Sequence, residues 1–175
     1  VILMNIRTIP AFCLILTLLS SFCVTAATDI YLFRHAEKLT DSGRDPALTQ
    51  AGEARAKWLA HWLKDKKIKR IYSTDYKRTQ QTVTPLAKKI GLPITSYNPR
   101  KLADLAKMLQ HSEGTFVVVG HSNTTVEMVQ LLGAAPDDAE TPFDPISESE
   151  YDRVYHVIIN GQKVQAHRSH SVLND

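Results

Sequence analysis

Apolar positions along the chain change their spacing several times, and each change marks an expected element. Residues 29–33, Asp-Ile-Tyr-Leu-Phe, form an apolar run of strand length. From Thr49 the spacing becomes helical. Ala51, Ala54, Trp58, Leu59 and Trp62 share one face, and Thr49 suits the N-cap position. Lys69 to Tyr72 predicts a second strand, after which Ser73 or Thr74 is placed to cap a helix running through Arg78 toward Ile90. Pro85 falls inside that helix and is expected to kink it or divide it in two, because proline lacks the N–H donor and crowds the preceding turn. Gly91-Leu92-Pro93 closes the helix, and Ile94 to Tyr97 predicts a third strand.

The second half continues the alternation. Leu102, Leu105, Met108 and Leu109 form another helical stripe. Thr115 to Val119 is a β-branched run between Gly114 and Gly120 and reads as a buried strand. Ser122 or Thr124 opens a helix through Leu132. Pro136 to Glu150 reads as an acidic, proline-containing loop. Val154 to Ile159, an Asn160-Gly161 type I′ turn and Lys163 to Arg168 predict a hairpin. Strands alternating with helices imply an α/β domain: a three-layer α/β/α sandwich with a mostly parallel central sheet and a C-terminal β-hairpin.

The first 27 residues follow a different logic. Met4 to Arg7 is a short basic head, Ile9 to Val24 is uncharged and apolar, and Val24-Thr25-Ala26-Ala27 supplies small residues. That is the layout of a secretory signal peptide, with the domain spanning 28–175 and a periplasmic or secreted location. After cleavage no stable membrane insertion is expected. The alternative is an uncleaved anchor, since Arg7 and Asp29 are the nearest flanking charges; Pro10 and the serines at 20 and 21 weigh against it. Both cysteines, Cys13 and Cys23, lie in this segment, so the domain has no thiol for catalysis or metal binding.

Composition narrows the function classes. The chain has 175 residues, enough for one core, and 43% of them are hydrophobic, which excludes a disordered chain. Its 21 Lys and Arg against 18 Asp and Glu leave a net charge of only +3, too slight for a nucleic-acid partner.

The candidate chemistry sits where strands end. The first expected strand runs into Arg34-His35-Ala36-Glu37, the second into Ser73 to Arg78, and the Thr115 to Val119 strand into Gly120-His121-Ser122-Asn123. In an open α/β sheet, ligands bind beyond the carboxyl ends of the strands. Two arginines and two histidines therefore converge on one edge beside a helix N-terminus, which makes an anion site. Arg34 and Arg78 present planar forks that match phosphate oxygens. Their fixed charge is expected to lower the histidine pKa values, leaving a neutral imidazole able to attack phosphorus. Ser122 is a helix cap or a phosphate ligand. Glu37, two residues from His35, is a candidate substrate contact.

Leu32-Phe33-Arg34-His35-Ala36-Glu37, Ser73-Thr74-Asp75-Tyr76-Lys77-Arg78-Thr79-Gln80-Gln81-Thr82 and Val119-Gly120-His121-Ser122-Asn123-Thr124 together resemble the histidine phosphatase, or phosphoglycerate-mutase-like, superfamily. The resemblance implies a phosphatase that works through a phosphohistidine on His35, with Arg34, Arg78 and His121 completing the phosphate pocket. It implies no metal and no cofactor. The short length is similar to SixA-like members, and the leader suggests exported, Ais-like members acting on a small phosphorylated substrate such as a cell-envelope phospho-sugar. Two departures stand out. Ala36 replaces the usual glycine, and the insertion that carries the family's acid donor between the second arginine and second histidine is missing. That interval holds only Asp104 and Glu113, so the donor is open between Glu37 and the Asp137 to Asp152 loop.

The competing readings are a phospho-ligand binder without turnover and a mutase-type phosphotransferase. A serine hydrolase on Ser122 is disfavoured, because Thr124 stands where the nucleophile elbow needs glycine. His156, His167 and His170 form a possible metal set but lack a recognisable carboxylate second shell.

Overall fold

A computed structural model of the chain describes residues 27–40, 43–136 and 143–171. The expected leader lies outside the described residues. Seven strands and four helices follow in order: β1 (Thr28–Arg34), α1 (Gln50–Leu63), β2 (Ile68–Thr74), α2 (Lys77–Ile90), β3 (Ile94–Tyr97), α3 (Leu102–Gln110), β4 (Gly114–Gly120), α4 (Ser122–Leu131), β5 (Ala135–Pro136), β6 (Arg153–Asn160) and β7 (Lys163–His170). They form one sheet in the order β3-β2-β4-β1-β6-β7-β5. β1, β2, β3 and β4 pair in parallel, whereas β6 runs antiparallel to both β1 and β7. The mostly parallel sheet and the terminal hairpin are as expected.

Alternation along the strands divides the core between the two faces of the sheet. Tyr31, Phe33, Ile71, Val117 and Val119 pack with Leu59, Leu63, Val83 and Leu86 of α1 and α2. Ile30, Leu32, Tyr72, Phe116 and Val118 pack on the other face with Leu105, Leu109, Val126 and Val129 of α3 and α4. Strands buried on both faces explain why β1 and β4 read as near-continuous apolar runs. Trp58 and Trp62 stack at 5.7 Å and are half-buried against the α1–α2 core, whereas Ala51 and Ala54 of the expected stripe are exposed and the buried face of α1 runs through Ala56, Leu59, Ala60 and Leu63. Met108, counted in the stripe of α3, is 39% exposed.

Three local expectations are corrected. α2 is a single 14-residue helix that continues through Pro85 rather than dividing there. The lost backbone bond costs about 3 kcal/mol, but Val83, Leu86 and Ala87 are buried on both sides of the proline and hold the helix against the sheet. Its N-cap is Tyr76, without a side-chain cap, while Ser73 and Thr74 are the last residues of β2. In the hairpin, Asn160 pairs with Lys163, so the two-residue loop is Gly161-Gln162, one position later than expected. Gly161 has φ +60° and Gln162 no positive φ, the pattern of a type II′ turn with glycine first rather than type I′. β5, two residues beside β7, was not anticipated from the loop-like sequence around Pro136.

Thr49 caps α1 as expected, its Oγ1 accepting from Gly52 N at 3.1 Å. Gly52 sits against the loop after β1, and a Cβ there would meet Glu37 O at 2.2 Å. This close approach seats the start of α1 beneath the segment that follows His35. Among the described residues, no helix is long and apolar enough to cross a membrane.

Candidate active site

β1 and β4 lie side by side, with Arg34 opposite Gly120 in register, so the residues leaving these strands meet above the sheet. His35 N donates to Gly120 O at 3.0 Å, tying the two exits together. A Cβ on Gly120 would meet Thr124 Oγ1 at 2.7 Å and Tyr97 Oη at 2.9 Å, so only glycine admits this close packing. His121 is then the N-cap of α4, its N–H donating to Thr124 Oγ1 at 2.9 Å. Arg78 arrives from the first turn of α2, which begins where β2 ends.

These elements enclose a cavity of about 390 Å³ lined by Arg34, His35, Arg78, His121 and Ser122, with Lys38, Tyr76, Arg100 and Glu148 on its walls. The His35 and His121 rings are 5.7 Å apart at 67°. Five of the six residues singled out from sequence therefore share one hollow. Glu37 does not join them. Its carboxylate is turned to α1, where Arg55 Nε donates to both oxygens and Arg55 Nη2 to Oε1 at 2.6 Å. The substrate-contact expectation for Glu37 is corrected accordingly: Arg55, on the face of α1 nearest the β1 exit, captures it as a structural ion pair.

The protonation pattern follows from donors that cannot accept. His35 is 2% exposed, and its Nδ1 lies 2.8 Å from Ala36 O. A carbonyl only accepts, so Nδ1 carries the proton and Nε2 keeps a free lone pair. Arg78 Nη2 donates to His121 Nδ1 at 3.4 Å, which puts the His121 proton on Nε2, donating to Thr74 Oγ1 at 3.1 Å. Thr74 passes the chain on to Thr79 Oγ1, which is anchored on Thr74 O and Tyr76 O. Burial above all, with the fields of Arg34, Arg78 and His121 added, lowers the His35 pKa to about 3. Burial and then Arg78 and Arg34 lower that of His121 to about 4. Lowered histidines were expected from arginine charge; desolvation turns out to be the larger cause.

The arginines are only partly committed. Arg34 Nη1 donates to Ser147 O, Glu148 O and Glu150 O, and its Nη2 pairs with Glu148 Oε2 at 2.9 Å. Its guanidinium also lies 4.5 Å over the Tyr151 ring. Arg34 Nε, Arg78 Nε and Arg78 Nη1 are buried with no hydrogen-bond partner. Buried donors left unpaired are costly, and here three of them belong to cations on the walls of one cavity. An oxyanion bound there would satisfy them. Among the described residues, Glu148 is the one carboxylate lining the cavity, held by Arg34 and by Ser122 Oγ at 3.0 Å. The Ser122 hydrogen bond and the Arg34 charge keep it below the usual carboxylate pKa.

Several contributors were invisible in the sequence. Thr82 Oγ1 accepts from Ala36 N at 2.9 Å and donates to Arg78 O, binding the His35 turn to the helix that carries Arg78. Asp45 Oδ1 accepts from Lys77 N at 2.9 Å and lies 3.6 Å from Arg78 Nη1. Both act through long-range contacts that spacing does not announce; only the acid loop holding Glu148 had been marked as a source of chemistry. Of the His156, His167 and His170 set, His156 and His167 lie side by side with rings 6.2 Å apart, but the three do not form one ligand cluster. His156 pairs with Asp29 at 2.6 Å and stacks on Tyr31 at 4.4 Å, while His170 pairs with Asp152. Glu150, Asp152 and His170 bring ligand atoms within 4.8 Å of one another, but Arg153 already donates to both Glu150 oxygens.

Residues 30–99 match the model of the histidine phosphatase superfamily, branch 1. Curated relatives include the Yersinia pestis (strain Pestoides F) protein named "Probable phosphoglycerate mutase GpmB", 29% identical over 133 residues, a match covering 62% of this chain and 61% of the relative. The chain thus spans about three fifths of the length of the curated relatives it matches. Among solved structures, the protein histidine phosphatase SixA complexed with tungstate superposes with a TM-score of 0.64 at 19% identity, covering 82% of this chain and 97% of that one. Mycobacterial glucosyl-3-phosphoglycerate phosphatase gives a TM-score of 0.62 at 12% identity, covering 82% and 98%. At such identities these two structures establish likeness of fold.

Proposed function

We propose that this chain, whose residues 30–99 match the histidine phosphatase superfamily, is a member of it and a phosphatase acting through a covalent phosphohistidine on His35. The lone pair on His35 Nε2 attacks phosphorus, the P–O bond to the leaving group breaks, and the leaving oxygen departs with the electron pair and a proton. Water then attacks the phosphoryl group, and the P–N bond electrons return to Nε2. Arg34 Nε and Arg78 Nε and Nη1 bind the equatorial oxygens, where charge is held through transfer. His121, kept as the Nε2–H tautomer by Arg78 and Thr74, completes the wall beside the nucleophile.

Glu148 is the carboxylate assigned to proton transfer in this reading. Ionised in the free protein, it is ready to take the proton of the attacking water; a phosphate dianion beside it raises its proton affinity and suits it to protonate the leaving oxygen. It takes the place of the missing insertion. The substrate is a small phosphorylated compound, and the leader-like N-terminus favours export and a cell-envelope phospho-sugar. Phosphoryl transfer to a second acceptor, the reaction suggested by the names of the curated relatives, would yield a phosphorylated product instead of free phosphate.

The observation that carries this proposal is the set of three buried, unpaired guanidinium donors around a histidine whose Nε2 is bare. Replacing His35 with Ala should reduce hydrolysis of p-nitrophenyl phosphate by at least about a thousandfold. A variant that retained most of its activity would overturn the reading.

A further inference from the structure

Charge is divided unevenly between the two ends of the parallel strands. At the carboxyl end, where the cleft lies, acidic residues accompany the arginines: Glu37, Asp45, Asp75, Glu148, Glu150 and Asp152. At the amino end, the turn between α1 and β2, the start of β2 and the last turn of α2 carry Lys66, Lys67, Lys69, Lys88 and Lys89, all exposed. Asp65 does not offset them, because Lys64 pairs with it. The Lys64 hydrogen bond first, and the fields of Lys64, His61 and Lys89 after it, lower the Asp65 pKa, so α2 ends beside this turn. Among the described residues, Glu113 and Asp29 are the other acids at this end. Five lysines against these two leave three positive charges over, before Lys107 at the end of α3 and Lys163 at the hairpin turn are added.

The chain enters the described residues at this same end. Ala27 O accepts from Gly114 N at 3.3 Å, and Lys69 Nζ donates to the adjacent Glu113 O at 2.6 Å. Thr28 is level with Gly114 and Ile68 with Thr115. β1 and β2 therefore start on either side of β4, two strand spacings or about 10 Å apart. Shortly before Ala27 in the sequence, residues 9–24 carry no charge. An apolar segment thus leads directly into a face whose lysines stand beside its point of entry. Among the described residues, Lys67 is the one non-glycine with a positive φ, +51°. A long charged side chain therefore stands at a turn position that favours glycine.

We propose that the amino-end face of the sheet rests on an anionic phospholipid bilayer, held by Lys66, Lys67, Lys69, Lys88 and Lys89, with the cleft facing away from it. Each lysine within a Debye length of anionic headgroups strengthens such binding by about fivefold. The neighbouring apolar segment favours a lipid surface over a nucleic acid, which would use the charge alone. The face lies at the opposite end of the strands from His35, so the proposal does not depend on the chemistry assigned there.

Amine labelling of the full chain, read by peptide mass spectrometry, tests the orientation. With vesicles of mixed phosphatidylcholine and phosphatidylglycerol, the five lysines should label about fivefold more slowly, while Lys38, Lys77 and Lys101 at the cleft end change little. The protection should shrink on phosphatidylcholine alone. It should also be lost as salt rises from about 0.1 M to about 1 M and the Debye length falls from about 10 Å to about 3 Å. Equal protection at both ends, no protection, or the same protection on neutral vesicles would overturn the proposal. Lys67→Gly relieves the positive φ and should fold at least as well as the parent. Combined with Lys66→Gln and Lys69→Gln, it should cut the preference for anionic over neutral vesicles by about a hundredfold; an unchanged preference would refute the proposal. Duplex DNA that protected the same lysines more strongly than the anionic vesicles would assign the face to nucleic acid and refute the lipid reading.

Discussion

Four arginines are largely withdrawn from water, and they divide into two regions with opposite character. Between α1, β7 and the loop before β6, every nitrogen of Arg55 and Arg153 is used: Arg55 by Glu37 and Ser171, Arg153 by Glu150, Asp144 O and Tyr155 Oη. In the cleft, Arg34 and Arg78 keep three donors without a hydrogen-bond partner, Asp45 standing 3.6 Å from one of them. The histidines divide likewise. His156 and His170 face carboxylates, whereas His35 and His121 face cations and are held neutral. Residue type is the same in both regions; what differs is whether the fold has already satisfied it. A saturated arginine fastens elements together, and an unsatisfied one waits for a ligand.

The contrast makes the two arginine classes separable by measurement. Arg55→Leu leaves the Glu37 charge half-buried and unpaired, which should lower unfolding free energy by about 3–5 kcal/mol. Turnover per folded molecule should persist, and the Arg55→Leu/Glu37→Leu double variant should regain much of the stability, as read by urea unfolding. Loss of turnover in a folded Arg55→Leu protein would erase the distinction. Arg78→Ala should do the reverse, lowering kcat/KM by about a hundred- to thousandfold, a cost of roughly 3–4 kcal/mol in the transition state. Its effect on stability should be much smaller, since Nε has no partner to lose and Nη1 only the long ion pair to Asp45 at 3.6 Å.

A smaller, graded effect comes from pH. The folded pKa values of His35 and His121, about 3 and about 4, lie below the ordinary 6.5. Between those limits the unfolded chain binds protons that the folded chain refuses, so stability falls as pH drops below 6.5 and stops falling from this source near 3. The slope reaches about 1.4 kcal/mol per pH unit for each histidine. The His35→Asn/His121→Asn variant should lose this part of the acid sensitivity in thermal melts; an unchanged profile would mean the histidines are not held neutral by the fold. The same values predict that the nucleophile stays unprotonated at any pH above about 4, so no activity step should appear near pH 6.5 from His35.

Much of this was legible in the chain because the informative signals were local. The apolar runs at 29–33 and 115–119 become strands buried on both faces, and a basic or histidine residue right after each is carried to the carboxyl edge by topology alone. Thr49 could be named as a cap because capping involves residues three apart. What escaped depended on partners far away in sequence. Glu37 lies two residues from His35, yet Arg55, on another element, decides where it points. Pro85 breaks an isolated helix but not one packed against a sheet on both sides of the proline. Asp45 and Thr82 acquire meaning only through partners on other elements, and Glu148 could be placed only within an acidic loop, not singled out from its acidic neighbours.

The account depends most on the bond formed at His35. The full chain, mixed with a good aryl phosphate and quenched in alkali within the first turnovers, should carry one phosphoryl group, stable to base and labile to acid, that peptide mass spectrometry places on residue 35. His35→Ala should carry none. A phosphoryl group found on another residue, or steady release of phosphate with His35 never modified while turnover proceeds, would contradict it.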